Sequence, residues 1–185
     1  MNNLSSLINV DPNFFYKQLG MKVPINPMTI AKNLDIDIET EPDLDRMGYS
    51  GEVFIRDGKA VIWVNGLEPI ERQRFTVAHE LGHLFLHMLQ KEGDSQGFRD
   101  GASNFKRNKL WDGIEYEANN FAARLLMPRF EVLNIANDII QQFNEQYGRK
   151  AKMTTESFIS RMAKRFEVSF QAMKNRLTYM KMIPI

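Results

Sequence analysis

Residues 69–90 read PIERQRFTVAHELGHLFLHMLQ and predict one long amphipathic helix. Pro69 suits the first turn of a helix, where its missing N–H costs nothing. On a helical wheel with His79 at zero, His83 falls at about 40° and His87 at about 80°. The opposite side of the wheel, between about 140° and 240°, is apolar: Leu81, Leu84, Phe85 and Met88. We therefore expect this helix to bury one face and to present a titratable face to a cleft.

The pentapeptide His79–Glu80–Leu81–Gly82–His83 has the spacing of a zinc peptidase site. Two histidines at i and i+4 lie on one helix face, so both imidazoles can bind one ion. The glutamate beside them is placed to take a proton from a metal-bound water molecule. The chain has three histidines, and all lie within residues 79–87. That clustering favours a metal site over the alternative, a chance pair of surface histidines on an ordinary helix.

A catalytic zinc ion takes three protein ligands and keeps one position open. Because the chain contains no cysteine, the third ligand must be His, Asp or Glu. His87 shares the face of the other two histidines, but ligands at i, i+4 and i+8 spread too far along a straight helix. We therefore interpret His87 as a neighbour of the site rather than as a ligand.

A second predicted helix, residues 114–127, offers two candidate glutamates. Glu115 lies on the same face as Ala118 and Ala122, whose small side chains would let this helix approach the first one closely at Gly82. Glu117 lies on the far shoulder of the helix. We predict Glu115 as the third ligand, with Glu117 as the alternative. The remaining interpretation is that both glutamates are solvated.

Asn119 follows Glu115 by one helical turn. Its side chain could hydrogen-bond a ligand histidine and fix the tautomer of that ring. The predicted centre therefore holds one catalytic Zn²⁺ on His79, His83 and Glu115, with Glu80 as the catalytic base.

Upstream of the histidine helix, the sequence predicts a small antiparallel sheet. Residues 36–40 alternate apolar and polar side chains, as a half-buried strand does. Residues 51–56 and 60–64 flank Asp57–Gly58, which is a strong hairpin signal. The strand 60–64, if it is a sheet edge, could dock the substrate as an added strand.

Helices account for most of the remaining chain. Further helices are predicted at residues 11–19, 27–34, 130–147, 154–166 and 169–180. Residues 93–113 form a polar loop with four glycines. Early strands and late helices indicate an α+β fold, in which the small antiparallel sheet packs on an active-site helix with a zincin HExxH motif, followed by a helical C-terminal part.

We expect three parts along the chain. Residues 1–25 form an N-terminal extension, residues 26–148 a zincin-like metallopeptidase core, and residues 149–185 a basic helical pair packed on that core. Residues 149–185 carry nine Lys or Arg against two Glu, whereas the preceding residues are net acidic. Such a basic region indicates either a surface for nucleic acid or an acidic partner, or simply a helical pair against an acidic body.

Composition excludes several classes of protein. Apolar residues make up 43% and charged residues 25% of the 185 residues, so wholesale disorder is excluded. The lack of cysteine excludes disulfide scaffolds, thiolate zinc fingers and cysteine nucleophiles. No stretch approaches the roughly 18 apolar residues of a membrane span, and the N-terminus lacks a signal-peptide pattern. We therefore expect a soluble cytoplasmic protein.

Two segments carry a family resemblance: residues 72–83, RQRFTVAHELGH, and residues 115–128, EYEANNFAARLLMP. Together they closely resemble the ImmA/IrrE family of zinc metallopeptidases, and the likeness extends over roughly residues 26–183. The hairpin at Asp57–Gly58 and the pair Val168–Ser169, which opens the last helix, also look like that family. The long loop 93–113 is a departure and leaves the identity of the substrate open.

The resemblance implies a cytoplasmic, bacterial or phage-related zinc endopeptidase that cuts a helix-turn-helix transcriptional repressor. It implies His79 and His83 as zinc ligands, Glu80 as base and Glu115 as third ligand. The expected reaction is hydrolysis of a peptide bond by Glu80-assisted attack of zinc-bound water. A zinc hydrolase acting on something other than a polypeptide is a weaker rival.

The main alternative is a non-catalytic, zinc-containing regulator that binds a repressor or DNA directly through the basic C-terminal helices. These helices have the length of a helix-turn-helix. Their inward residues, however, are equally a core seam: Phe158, Ile159, Met162, Phe166, Phe170, Met173 and Leu177.

Overall fold

The computed structural model describes residues 4–18, 20–42, 48–89 and 109–184. Within these residues the chain forms seven α-helices and one three-stranded sheet, with the strands early and most of the helices after them. The fold is therefore mixed α+β, as the order of the predicted elements indicates.

Two short helices precede the sheet, α1 (Asn13–Gln18) and α2 (Pro27–Asn33). The side chain of Asn26 caps α2 by accepting a hydrogen bond from the Met28 N–H at 3.0 Å. This cap confirms the helix start predicted from Asn26 and Pro27.

The N-terminal residues pack into the same core as the rest of the molecule. Leu7, Phe15 and Ile25 are buried within the main hydrophobic cluster. The Asn9 N–H donates to the carbonyl of Phe85 at 3.0 Å, and the Phe15 and Phe85 rings stack 5.4 Å apart. These contacts join the predicted extension to the helix that carries the histidines, and the three-part division of the chain stays a prediction.

The sheet contains β1 (Asp37–Glu41), β2 (Gly51–Arg56) and β3 (Lys59–Asn65) in the order β1–β3–β2. β2 and β3 are antiparallel, but β1 pairs with β3 in parallel, so the prediction of a purely antiparallel sheet is wrong. β3 is the central strand because it pairs with β1 on one edge and with β2 on the other. Its residues 60–65 are buried on both faces, as in a strand covered on both sides of the sheet. β3 is therefore not an edge, and the prediction that strand 60–64 could dock a substrate is also wrong.

The hairpin between β2 and β3 turns at Asp57 and Gly58. Both residues have positive φ, 53° and 76°, which is the backbone of a two-residue type I′ turn. The hairpin predicted from this Asp-Gly pair is confirmed.

The histidine helix and its neighbour pack side by side after the sheet. α3 spans Ile70–His83 and continues as a wider π-turn over Leu84–Met88, and α4 spans Lys109–Leu126. Residues 93–108 of the predicted loop 93–113 lie outside the described residues. Its last five residues belong to α4, because that helix begins earlier than the sequence predicts.

Three helices complete the described chain: α5 (Arg129–Tyr147), α6 (Thr155–Phe166) and α7 (Phe170–Tyr179). Thr154 and Ser169 cap α6 and α7 with side-chain hydrogen bonds to backbone N–H groups. The inward face of this pair is core, as predicted, except that Phe170 is 41% exposed. Phe170 is the first residue of α7, and its neighbours Ser169 and Gln171 are exposed as well.

Two buried arginines join the C-terminal helices α6 and α7 to the rest of the fold. Arg74 of α3 donates to the backbone carbonyl and the carboxylate of Glu167, in the α6–α7 turn. Arg176 of α7 donates to the carbonyl of Met127 at 3.0 Å. These charge-assisted hydrogen bonds hold α6 and α7 against α3 and the end of α4. Across the described helices, none has the length and apolar character that crossing a membrane requires.

Candidate metal centre

α3 buries one face in the core and turns the other toward α4. Val77, Ala78 and Leu81 are fully buried, whereas the side chains of His79 and His83 keep exposures of 15% and 13%. This division follows from the 3.6-residue period of the helix, which separates its apolar and titratable faces.

Three side chains with metal-ligating atoms meet between α3 and α4. Nε2 of His83 lies 2.9 Å from Nε2 of His79. The two oxygens of Glu115 lie 3.4 Å from His79 Nε2 and 3.2 Å from His83 Nε2. Among the residues that the structure describes, these three form the only such group of ligand atoms within 4.8 Å of one another. The structure thus brings together the three side chains that the sequence predicts as ligands.

A close approach of the two helices brings Glu115 to the histidines. A Cβ added at Gly82 would lie 3.1 Å from Ala118 Cα and 3.2 Å from Phe121 Cβ. Only a glycine lets the α4 backbone come this near, because any side chain at this position would push against it. The predicted packing of a small-residue face of α4 against Gly82 is confirmed.

Asn119 contacts His79 at the ring nitrogen that faces away from His83 and Glu115. Its Oδ1 lies 3.2 Å from His79 Nδ1, so it accepts a hydrogen bond when the ring carries its proton there. The Nε2 lone pair of His79 then points toward His83 and Glu115. A ring fixed in this way is the arrangement that metal-binding histidines use.

The donors fit a tetrahedral zinc ion. With bonds of about 2.0–2.1 Å, tetrahedral ligand atoms lie about 3.3 Å apart, and the observed separations are 2.9, 3.2 and 3.4 Å. Two imidazoles and one carboxylate also match a known donor set for catalytic zinc, which keeps a fourth position open.

The charges within the cluster keep Glu115 ionised. Hydrogen bonds to His79 and His83 hold the pKa of the Glu115 carboxyl well below its usual range. Burial lowers the pKa of His79, but the hydrogen bond to Glu115 and the nearby carboxylates outweigh burial and raise it. Glu115 is therefore an anionic group facing two imidazoles at neutral pH.

Glu80 lies beside the cluster in a buried position, with 7% of the residue exposed. Burial raises the pKa of its carboxyl, and the charges of His79 and His83 only partly oppose this. Glu52 of β2 adds a negative charge that raises the pKa further. A buried carboxyl of raised pKa can exchange a proton closer to neutral pH than a solvated one.

His87 and Glu117 form a separate pair. The His87 side chain is 10% exposed, and its Nε2 lies 3.9 Å from Glu117 Oε2. The His87 and His83 ring centroids are 5.4 Å apart, and burial lowers the pKa of His87. Neither residue joins the described cluster of His79, His83 and Glu115, and Glu117 is 63% exposed.

β2 lies beside the centre, a placement that the sequence did not predict. A Cβ at Gly51 would overlap the methyl group of Thr76 and lie 2.8 Å from the carbonyl oxygen of Trp63. The strand therefore passes directly against α3, one turn before Glu80. The available signal was a glycine at the start of a strand, which often marks a close backbone approach.

Comparisons with known proteins place this chain in a family. Residues 31–178 match the family model described as the IrrE N-terminal-like domain, a peptidase family. The radiation response metalloprotease IrrE of Deinococcus radiodurans is 32% identical over 125 residues, which cover 68% of this chain and 33% of that protein. The protein of the same name from Deinococcus deserti is 31% identical over 111 residues, covering 57% of this chain and 36% of its own. The chain thus matches about a third of the length of these relatives.

Proposed function

Since this chain belongs to the peptidase family of the IrrE N-terminal-like domain, we propose that it is a zinc-dependent endopeptidase. His79, His83 and Glu115 would hold the ion, and the convergence of their ligand atoms within 4.8 Å is the observation that carries the proposal. When bound, zinc supplies Lewis acidity, which acidifies a water molecule and polarises a peptide carbonyl.

Glu80 is the general base of the proposed reaction. Its carboxylate takes a proton from the attacking water and returns that proton to the nitrogen of the leaving amine, so one group serves both transfers. Its buried position raises its pKa, which suits a carboxyl group that must hold a proton between the two transfers.

The outer edge of β2 is the proposed docking site for an extended segment of substrate. β2 ends the described sheet on the side away from β1, and it begins at Gly51, beside Glu80. A peptide that pairs with β2 gains backbone hydrogen bonds without regard to its sequence. Its scissile bond would then lie along α3 at the level of the cluster.

The proposed substrate is a protein, and specifically a DNA-binding repressor of the helix-turn-helix type in the cytoplasm. This rests on the likeness to the ImmA/IrrE family, whose motifs lie at residues 72–83 and 115–128. A repressor encoded beside this protein would be the first substrate to test.

The test is to incubate the purified, zinc-loaded protein with that repressor and to follow the fragments by mass spectrometry. Glu80→Gln should keep zinc, measured by elemental analysis, and lose cleavage by about 10²–10⁴-fold. Glu117→Gln is the matched control and should cleave as the wild type does, and a chelator should abolish cleavage. Undiminished cleavage by zinc-loaded Glu80→Gln would overturn the assignment of the base.

A second candidate is a regulator that binds DNA or a repressor without cutting it. It is favoured by exposed basic residues on the outer side of the C-terminal helices: Arg161, Lys164, Arg165 and Lys174. DNA binding would give a gel shift that weakens steeply with salt, because bound phosphates release counterions. A shift of that kind, together with an uncut repressor, would favour this candidate over the peptidase.

A further inference from the structure

α5 presents large apolar side chains to solvent along one side. Its inner face is buried against the body through Val132, Ile135, Ala136 and Ile139. Beside that face, large apolar residues remain exposed: Phe130 by 66%, Leu133 by 39%, Ile140 by 48% and Tyr147 by 54%. An apolar surface of this kind on a folded domain commonly marks a place where another protein binds.

These residues follow a heptad spacing. With two asparagines they occupy alternating steps of three and four residues: Phe130, Leu133, Asn137, Ile140, Asn144 and Tyr147. Steps of three and four place all six on one stripe of the helix, in the a and d positions of a coiled coil. We name this set of six residues the α5 seam.

The seam has the area that a specific contact needs. Its six side chains expose roughly 500 Å² in each copy. Two copies packed seam to seam would bury up to about 1,000 Å² of these side chains, which is the lower bound for a specific interface. An interface at this lower bound favours a transient dimer rather than a permanent one.

The two asparagines of the seam favour a second, parallel copy of this chain as the binding partner. Asn137 and Asn144 both lie at a positions, where asparagine pairs well with asparagine of a parallel partner and poorly with an apolar side chain. In a parallel two-fold arrangement every seam residue meets its own equivalent, so both amide pairs are satisfied. An antiparallel arrangement would instead set Asn137 against Ile140 and Asn144 against Leu133, which leaves buried amides without partners.

The charges around the seam permit contact between two identical surfaces. A symmetric interface repeats each charge, so a seam flanked by like charges would repel its own copy. The flanking e and g positions carry one charged residue, at the first turn of α5: Arg129, Asn134, Ala136, Gln141 and Phe143. The acidic residues of the helix, Glu131, Asp138 and Glu145, lie at b positions, away from the contact.

We propose that the protein forms a parallel, two-fold symmetric dimer through the α5 seam. The inference is independent of the peptidase activity, because none of the seam residues belongs to the metal centre. The partner is a second copy of this chain.

The oligomeric state tests the proposal. Sedimentation equilibrium of the full chain at up to about 100 µM should detect a dimer. Ile140→Asp should raise its dissociation constant at least about tenfold, and Gln142→Glu, on an exposed position away from the seam, should leave it unchanged. Circular dichroism and thermal unfolding check that both variants are folded. A wild type that stays monomeric, or a dimer that folded Ile140→Asp leaves intact, would overturn the proposal.

A disulfide cross-link measures whether the two α5 helices are parallel or antiparallel, and it does not require a variant that weakens the dimer. The chain has no cysteine, so Asn144→Cys introduces a single thiol. In the parallel dimer the two thiols face each other and should oxidise to a disulfide-linked dimer. In an antiparallel dimer they would be about 16 Å apart along the helix, too far to join. A dimer of Asn144→Cys that does not cross-link would therefore contradict the parallel arrangement.

Discussion

Gly82 of α3 and Ala118 of α4 lie in backbone contact. A Cβ at Gly82 would sit 3.1 Å from Ala118 Cα and 3.2 Å from its carbonyl oxygen. The contact lies next to His83 and one helical turn from Glu115. The separation of the two helices at this point therefore controls how closely the carboxylate approaches the imidazoles.

Gly82→Ala should disturb both stability and metal binding. The added methyl group must displace α4 by a few tenths of an ångström, because the atoms it meets include backbone. We expect a loss of about 1–3 kcal/mol in the free energy of unfolding and weaker zinc binding, measured by denaturant unfolding and by competition with a chelating dye. Gly113→Ala is the matched control, since a Cβ there meets nothing within 4 Å. Unchanged zinc affinity in Gly82→Ala would contradict this account of the close approach.

Zinc should raise the thermal unfolding midpoint, because the folded protein alone presents the three donors together. At a free zinc concentration of about 100 times the dissociation constant, the gain is about 2.7 kcal/mol. Glu115→Gln should lose most of this gain by removing an anionic ligand, whereas Glu117→Gln should keep it, since Glu117 lies outside the cluster. Differential scanning calorimetry with zinc and with chelator measures both. Equal losses in the two variants would argue against Glu115 as the third ligand.

Asn119→Ala should weaken zinc binding by about 10–100-fold, because the His79 ring loses the acceptor that fixes its tautomer. Asn119→Asp keeps an oxygen acceptor at the same place and should retain most of the affinity. Isothermal titration with zinc distinguishes the two variants. If Asn119→Ala bound zinc as tightly as the wild type, the hydrogen bond to His79 would have no positioning role.

The Tyr16–Glu131 hydrogen bond should make stability depend on alkaline pH. This bond raises the pKa of Tyr16 to about 12, above its ordinary value of about 10. The folded protein holds this proton more tightly than the unfolded chain, so the contribution is complete below about pH 10 and is lost as the pH rises through about 12. Urea unfolding of the wild type and Tyr16→Phe across this range measures it, with Tyr116→Phe as an exposed control. Parallel curves for wild type and Tyr16→Phe would contradict the prediction.

The elements that depend on local sequence could be predicted closely. The Asn26 cap, the Asp57–Gly58 turn and the amphipathic course of α3 each follow from interactions between residues within a few positions of one another. The separation of the two glutamates also followed from helix geometry, because Glu115 and Glu117 point about 200° apart on one helix.

The wrong predictions about the sheet concern contacts between distant parts of the chain. β1 pairs with β3 rather than forming part of an antiparallel sheet, and no local pattern distinguishes the two arrangements. Phe170 is 41% exposed although it lies on the face that the sequence predicts as core, because exposure depends on which neighbouring elements cover a residue. The proximity of Gly51 to Glu80 depends on how the sheet packs on α3.

The sequence by itself determined the chemistry that the chain can offer: two imidazoles and a carboxyl on one helix face, and a second glutamate on a helix lined with alanines. Periodicity is a local property, so it can be read from consecutive residues. Only the tertiary structure decided how closely the two helices approach at Gly82, that the Glu115 carboxylate comes within 3.4 Å of His79 and His83, and that β2 lies beside Glu80. These distances are set by packing across the core, where the volume of every neighbouring side chain contributes at once.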